Sequence, residues 1–221
     1  MAKRKRDRIR KRRRGRRILF LSLLAGAGAL YLYFPAPPER PDDICHVFSE
    51  RLDWYIQAKR SANRWGAPLH VKMAIMRHES GFRKHARTRW RFFLGIVPVG
   101  RISSAYGYAQ AQDSTWDLYR EKTGRTGASR NDFGDAVDFI GWYMDVSKRM
   151  LNLEPGNAYA HYLAYHEGQA GYKRGSHRKK AWLLKYAKRV AATSKRFEQQ
   201  LSQCRTKLDR ASWWRFWLHW V

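Results

Sequence analysis

Cysteine is scarce in this 221-residue chain, which has only Cys45 and Cys204. Two thiols make at most one bridge and by themselves fix no framework. Acids are scarce too: 18 Asp and Glu stand against 45 Lys and Arg, a formal net charge of +27. So basic a chain is drawn to polyanions, whether nucleic acid, anionic lipid headgroups or an acidic polymer. No internal repeat is present, which speaks against a repeat array. Long apolar runs are missing as well: the uncharged segment before the first prolines, Ile18 to Phe34, has seventeen residues, the short end of what spans a bilayer as a helix. What is present, 44% hydrophobic and 14% aromatic residues, describes a folded protein rather than a disordered one. The length suits one ordinary domain with extensions.

Positive charge is concentrated at the start. Residues 1–17 hold twelve Lys or Arg and one Asp, a net +11, and +27 less +11 leaves +16 on the remainder. The segment "ILFLSLLAGAGALYLYF" follows at 18–34. An apolar segment behind a dense positive flank reads as a transmembrane signal-anchor, with arm 1–17 in the cytoplasm and the rest exported. Ala27-Gly28-Ala29 resembles a cleavage site, so a cleaved signal peptide is the alternative. Tyr31, Tyr33 and Phe34, placed like an interfacial aromatic belt, favour the uncleaved anchor. The expectation is a single-pass protein of the cell inner membrane, its folded domain in the periplasm. "PAPPERPDD" begins a Pro-rich linker over 35–44. A domain over 45–208 and a Trp-rich tail over 209–221 complete the division.

The domain reads as mainly α. Phe48, Leu52, Tyr55 and Ala62 recur at helical spacing within 46–65, and Gly66 and Pro68 interrupt the chain. A second helix runs from Leu69 to Glu79 and ends at Gly81. Asn131 is placed as the N-cap of a long helix carrying Phe133, Val137, Ile140, Met144 and Leu151 on one stripe. "NAYAHYLAYHEG" forms another helix, stopped by Gly168. The last helix sets Trp182, Tyr186, Val190, Thr193, Phe197, Leu201 and Cys204 on one face. Between the second and third helices, "RTRWRFFLGIVPVGRISSAYGYAQAQ" lacks a helical period and reads in part as a hairpin or ordered loop, where binding surfaces tend to lie. In an exported, oxidising space Cys45 and Cys204 would pair and tie the domain's ends together; two buried thiols are the alternative.

Within "AIMRHESGF" (74–82) a carboxylate closes an apolar helix. At a helix C-terminus the macrodipole disfavours another negative charge, and apolar neighbours disfavour ionisation. Both raise the pKa of Glu79, as a general acid working near neutrality requires. A solvated glutamate paired with Arg77 or Arg83 is the alternative.

"RHESGF" resembles the catalytic motif of the lytic transglycosylases, a family sharing its fold with goose-type lysozymes. "AYGYAQAQDSTW" (105–116) resembles that family's second motif, Gly-x-x-Gln followed by a turn and a Thr-Trp helix, and "AYHEG" (164–168) resembles its third. The three occur in the family's order, and the resemblance covers roughly residues 45–200. It implies a lysozyme-like helical domain with a short hairpin or loop region. It implies that Glu79 is the single catalytic acid/base. Glu79 would protonate the β-1,4 glycosidic oxygen between N-acetylmuramic acid and N-acetylglucosamine in peptidoglycan, then take a proton from the muramic 6-hydroxyl, leaving a 1,6-anhydro end. No metal or other cofactor is implied. Ser80 matches the serine beside the acid, Gln110 the glutamine lining the sugar cleft, and Tyr165 the tyrosine near acid or substrate. Gly107 is placed to let the backbone approach the saccharide, and Ser104 and Tyr108 complete the second motif's substrate-binding set. His166 departs from the family's asparagine; histidine also hydrogen-bonds, with a charge that depends on pH. Tyr108 and Ala109 replace a Leu-Met pair, and the segment from Arg89 to Arg101 is longer than the family leads one to expect.

A two-carboxylate glycosidase needs a second acid, for which Glu167, Asp113 and Asp117 are candidates. Glu167 reads instead as a helix-end surface group. A hydrolase of the same polymer using the same acid, and a non-catalytic wall-binding module, are the alternative functions. The expected partners are glycan strands, the inner membrane and cell-envelope proteins; nucleic acid comes last, because export removes it. In "ASWWRFWLHWV", Trp213, Trp217 and Trp220 share a helical face, suited either to a membrane surface or to packing back on the domain.

Overall fold

The computed structural model of the protein describes residues 20–22, 36–94 and 96–218. It divides into two units, Met1–Ala36 and Pro37–Val221. In the first, residues 20–22 have helical backbone. The arm 1–17 and nearly all of the 18–34 segment lie outside the described residues. Among the described residues no helix is long and apolar enough to cross a membrane.

The second unit is mainly helical: α1 (Ile44–Glu50), α2 (Leu52–Trp65), α3 (Leu69–Ser80), α4 (Asp113–Thr123), α5 (Phe133–Leu151), α6 (Ala158–Lys173) and α7 (Ala181–Leu218), with a 3-10 turn at Ser176–Lys179. Two strands, β1 (Trp90–Phe93) and β2 (Val97–Arg101), form the expected hairpin between α3 and α4. They pair antiparallel from Trp90↔Arg101 to Phe93↔Val97, with a bulge between Arg91 and Phe92.

Helix α3 is the central element. Its six consecutive residues Val71 to Met76 are all fully buried, as happens to a helix enclosed by neighbours rather than lying on a surface. α7, α5, α6 and α2 all pack against it. Even Lys72 has no way out: its ammonium donates to the Ala58 carbonyl at 3.0 Å, and burial pulls its pKa from 10.5 down to about 7. α2 lies close along α5 at Gly141, where an added Cβ would sit 2.7 Å from the Ser61 hydroxyl and 2.8 Å from the Trp65 ring.

Several boundaries differ from the sequence reading. The helix expected over 46–65 is broken at Arg51, whose backbone (φ −130, ψ 70) is not helical. Asp132, not Asn131, caps α5, accepting from the Asp135 amide at 2.9 Å. Of its stripe, Phe133, Val137, Ile140 and Met144 are buried and Leu151 is half-buried. The stripe of α7 is correct from Val190 to Leu201, but Trp182 is exposed; Leu183 and Ala187 hold the inner face there. Gly168 breaks the helical path inside α6, at φ 73 and ψ 157. α7 runs unbroken past residue 208 to Leu218, while the side chains of Trp217 and Trp220 lie outside the described residues.

Both ends of the domain are fastened. Cys45 and Cys204 form a disulfide joining α1 to α7. Asp42, at the end of the Pro-rich segment, pairs with Arg77 at 2.9 Å and Arg196 at 3.0 Å. Asp43 caps α1 by accepting from the His46 amide.

Candidate active site

Glu79 lies in the last turn of α3, where that helix leaves the core. The residue is half-buried, yet protein surrounds its carboxyl, and this burial pushes its pKa up from 4.5 to about 7. The Tyr162 hydroxyl donates to the carboxylate and opposes the rise. The arginines that could have neutralised it are engaged elsewhere. Arg77 holds Asp42, and the Nε of Arg83 donates to the Ser80 carbonyl at 2.9 Å.

Three tyrosines face this carboxyl. Tyr162 and Tyr165, three residues apart on α6, present one face of the helix. Burial and then the Glu79 charge raise the pKa of both hydroxyls. Tyr186 of α7 feels the same two effects and donates to the His78 carbonyl at 3.0 Å. The His78 ring meets the Thr193 hydroxyl at 2.9 Å, so the end of α3 is clamped to α7.

The loop before α4 completes the surroundings. Tyr165 donates to the Ala109 carbonyl at 2.6 Å, joining the third motif to the second. Gln110 adopts φ 48, and its amide nitrogen donates to the carbonyls of Ala86 and Gly107, each at 2.9 Å. Beside it runs an open groove lined by Gln110, Gln112, Tyr143, Tyr165, His166 and Glu167. Glu79 is not among the residues lining this groove, but Tyr165 lines it and also feels the Glu79 charge. A half-buried carboxyl with a pKa of about 7 can give a proton to a bound oxygen and take one back.

Compared with models of protein families, residues 16–204 match the transglycosylase SLT domain. The chain belongs to that family. Its type of activity is that of a peptidoglycan lytic transglycosylase acting on the cell wall. No curated protein and no solved structure matches the chain.

Not every sequence candidate reaches the groove of this SLT domain. Ser80 is fully buried and donates to the Met76 carbonyl in its own helix at 3.2 Å. Tyr108 is buried among Trp54 and Phe133, and that burial pushes its pKa up to about 12. Gly107, at φ 76, lies against the Arg130 backbone, so close that a Cβ would fall 2.0 Å from the Arg130 carbonyl oxygen. Ser104 accepts from the Asp113 amide at the start of α4 at 3.1 Å. His166 is exposed at the groove edge, its ring against Trp182 and its Nδ1 3.0 Å from Glu167.

Glu167 is not the surface group expected of it. Its side chain is only 5% exposed. Lys180 at 2.7 Å and the Ser176 hydroxyl donate to its carboxylate and hold its pKa down at about 2. It clasps the 3-10 turn to α6. Asp113 pairs with Arg130 at 2.7 Å and Asp117 with Arg120 at 3.4 Å. None of the three acts on Glu79, whose pKa responds to burial and to Tyr162.

Sequence reasoning missed Tyr162 and Tyr186. The signal for Tyr162 was present, because its spacing from Tyr165 puts both on one helix face. Tyr186 was read as core, and no local pattern distinguishes a core tyrosine from one whose ring also borders a carboxyl.

Proposed function

We propose that the domain, over residues 45–208, cleaves the β-1,4 bond between N-acetylmuramic acid and N-acetylglucosamine without water, with Glu79 as its one acid and base. Protonated Glu79 gives its proton to the glycosidic oxygen. The bond from muramic C1 to that oxygen breaks, and N-acetylglucosamine leaves with a hydroxyl. The resulting carboxylate takes the proton of the muramic 6-hydroxyl, whose oxygen bonds to C1. The 1,6-anhydro ring closes and Glu79 is again protonated. The observation that carries this reading is a single carboxyl, raised to about 7 by burial, with no carboxylate among the groups that act on it. A double-displacement or inverting glycosidase would need a partner acid, whereas here the substrate's own hydroxyl attacks.

Gln110, Tyr165 and His166 hold the saccharide along the groove. Ser80, Ser104, Gly107 and Tyr108 act from behind, shaping the loop and helix end that present those groups. Residues 18–34 anchor the protein in the inner membrane, with arm 1–17 in the cytoplasm and the domain in the periplasm; the Cys45–Cys204 disulfide suits such an oxidising space.

The test is mass spectrometry of purified sacculi treated with the protein or with Glu79→Gln. Anhydro-muropeptides from the first and none from the second are expected. Reducing-end products would replace this reading with a hydrolase. No products from the unaltered protein would replace it with a wall-binding module.

A further inference from the structure

The hairpin uses its apolar side chains differently from the rest of the domain. Among the described residues, β1 and β2 pack on each other and on no helix. Yet Trp90, Phe92, Val99 and Ile102 are at least half exposed, and Leu94 and Ile96, at the turn, are 80% exposed. So many large apolar side chains left in water on one hairpin mark an interaction surface.

Charge around the patch narrows the partner. From Ser80 to Gln112 the chain has no Asp or Glu, but it has Arg83, Lys84, Arg87, Arg89, Arg91 and Arg101. At the base of the hairpin, Arg101 lies over the Trp90 ring at 4.7 Å and donates to the Thr88 carbonyl at 2.6 Å. Outward along the hairpin, Arg89 and the Trp90–Arg101 pair stand at the base, Arg91 and then Phe92 follow, and Leu94 and Ile96 form an aliphatic tip. That sequence matches the layers of an anionic bilayer: headgroup phosphates, the polar–apolar boundary, then acyl chains. A protein groove would cover one face of the ribbon and leave the other wet, whereas a bilayer surrounds the tip. A glycan strand would favour aromatic faces over Leu94 and Ile96.

We propose that the hairpin is an interfacial wedge that docks the domain on an anionic phospholipid surface, with Leu94 and Ile96 entering the acyl boundary and the arginines resting on phosphates. This inference does not depend on the reaction the domain performs.

The native cysteines are joined, so in the full chain carrying Leu94→Cys only the new thiol takes an environment-sensitive fluorophore. A second labelled chain, Lys122→Cys on α4, serves as control. Both are mixed with phosphatidylglycerol/phosphatidylethanolamine vesicles bearing acyl-chain quenchers. The probe at 94 is expected to shift to the blue and be quenched, and the probe at 122 to do neither. Arg89→Glu with Arg91→Glu, or purely phosphatidylcholine vesicles, should cut the quenching at 94 about tenfold or more, because each arginine near an anionic surface contributes measurably. Among the described residues the strands pack on no helix, so these variants leave the helical fold intact, as unchanged circular dichroism would verify. Absence of quenching at 94, equal quenching at 94 and 122, or a probe that responds only to added envelope protein would each overturn the proposal.

Discussion

Replacing Glu79 with glutamine makes the burial of its carboxyl measurable as stability. In the folded protein that carboxyl has a pKa of about 7, against 4.5 in the absence of burial. Below pH 4.5 it is protonated in both folded and unfolded chains. As pH rises from 4.5 to about 7, the unfolded chain gives up the proton while the folded one keeps it, and stability falls. Above about 7 the loss is complete. At about 1.4 kcal/mol per pH unit between the two values, the full loss is on the order of 3 kcal/mol. Glutamine keeps the shape and the carbonyl that Tyr162 can donate to, but it has no proton to lose. The variant should match the unaltered protein at pH 4. It should be more stable by roughly 6–12 °C in Tm above pH 7. Thermal unfolding of both proteins from pH 4 to 9 measures the gap. A gap that stays flat across this range would refute the claim that burial tunes Glu79, and with it the physical basis for its proposed role as an acid.

Three further outcomes are expected. Replacing both Cys45 and Cys204 with serine opens a loop closed across 159 residues and should cost about 2–5 kcal/mol in denaturant unfolding, with little change in the circular dichroism of the folded state. Lys72→Met should stabilise, by about 1–4 kcal/mol, because it removes an ammonium confined to the core. Its pKa is depressed from 10.5 to about 7, so the native chain loses stability as pH falls from 10.5 through about 7, and the variant's advantage should grow over that window. Gly107→Ala should fail to fold or lose at least about 3 kcal/mol, since its Cβ would overlap the Arg130 carbonyl at 2.0 Å and φ is 76; soluble yield and Tm report it.

Helix existence was legible because it rests on local chemistry. The apolar stripe of α5 and the left-handed Gly66 and Gly81 that end α2 and α3 follow from residue spacing and from the freedom of glycine. The place of Glu79, a carboxylate ending an apolar helix, was legible for the same reason, whereas its proposed role as the acid rests on the resemblance of three motifs. The break at Arg51 was not legible, since neither glycine nor proline marks it. The role of Glu167 was hidden because its partner Lys180 lies thirteen residues away, beyond a kink that the helical pattern alone does not describe.

The sequence by itself determined a mainly helical domain, the place of Glu79 at the end of an apolar helix, the order of the motifs and the net positive charge, because periodicity, capping and composition are properties of neighbours along the chain. Only the tertiary structure decided which side chains meet. It put α3 inside a ring of helices, so that Lys72 became a buried base and the carboxyl of Glu79 a buried acid. It brought Tyr162 and Tyr186 to that carboxyl from two different helices. It turned Ser80 and Tyr108 into the core and left the hairpin's tip in water. Burial is set by what packs from elsewhere in the chain, and no stretch of residues carries that information alone.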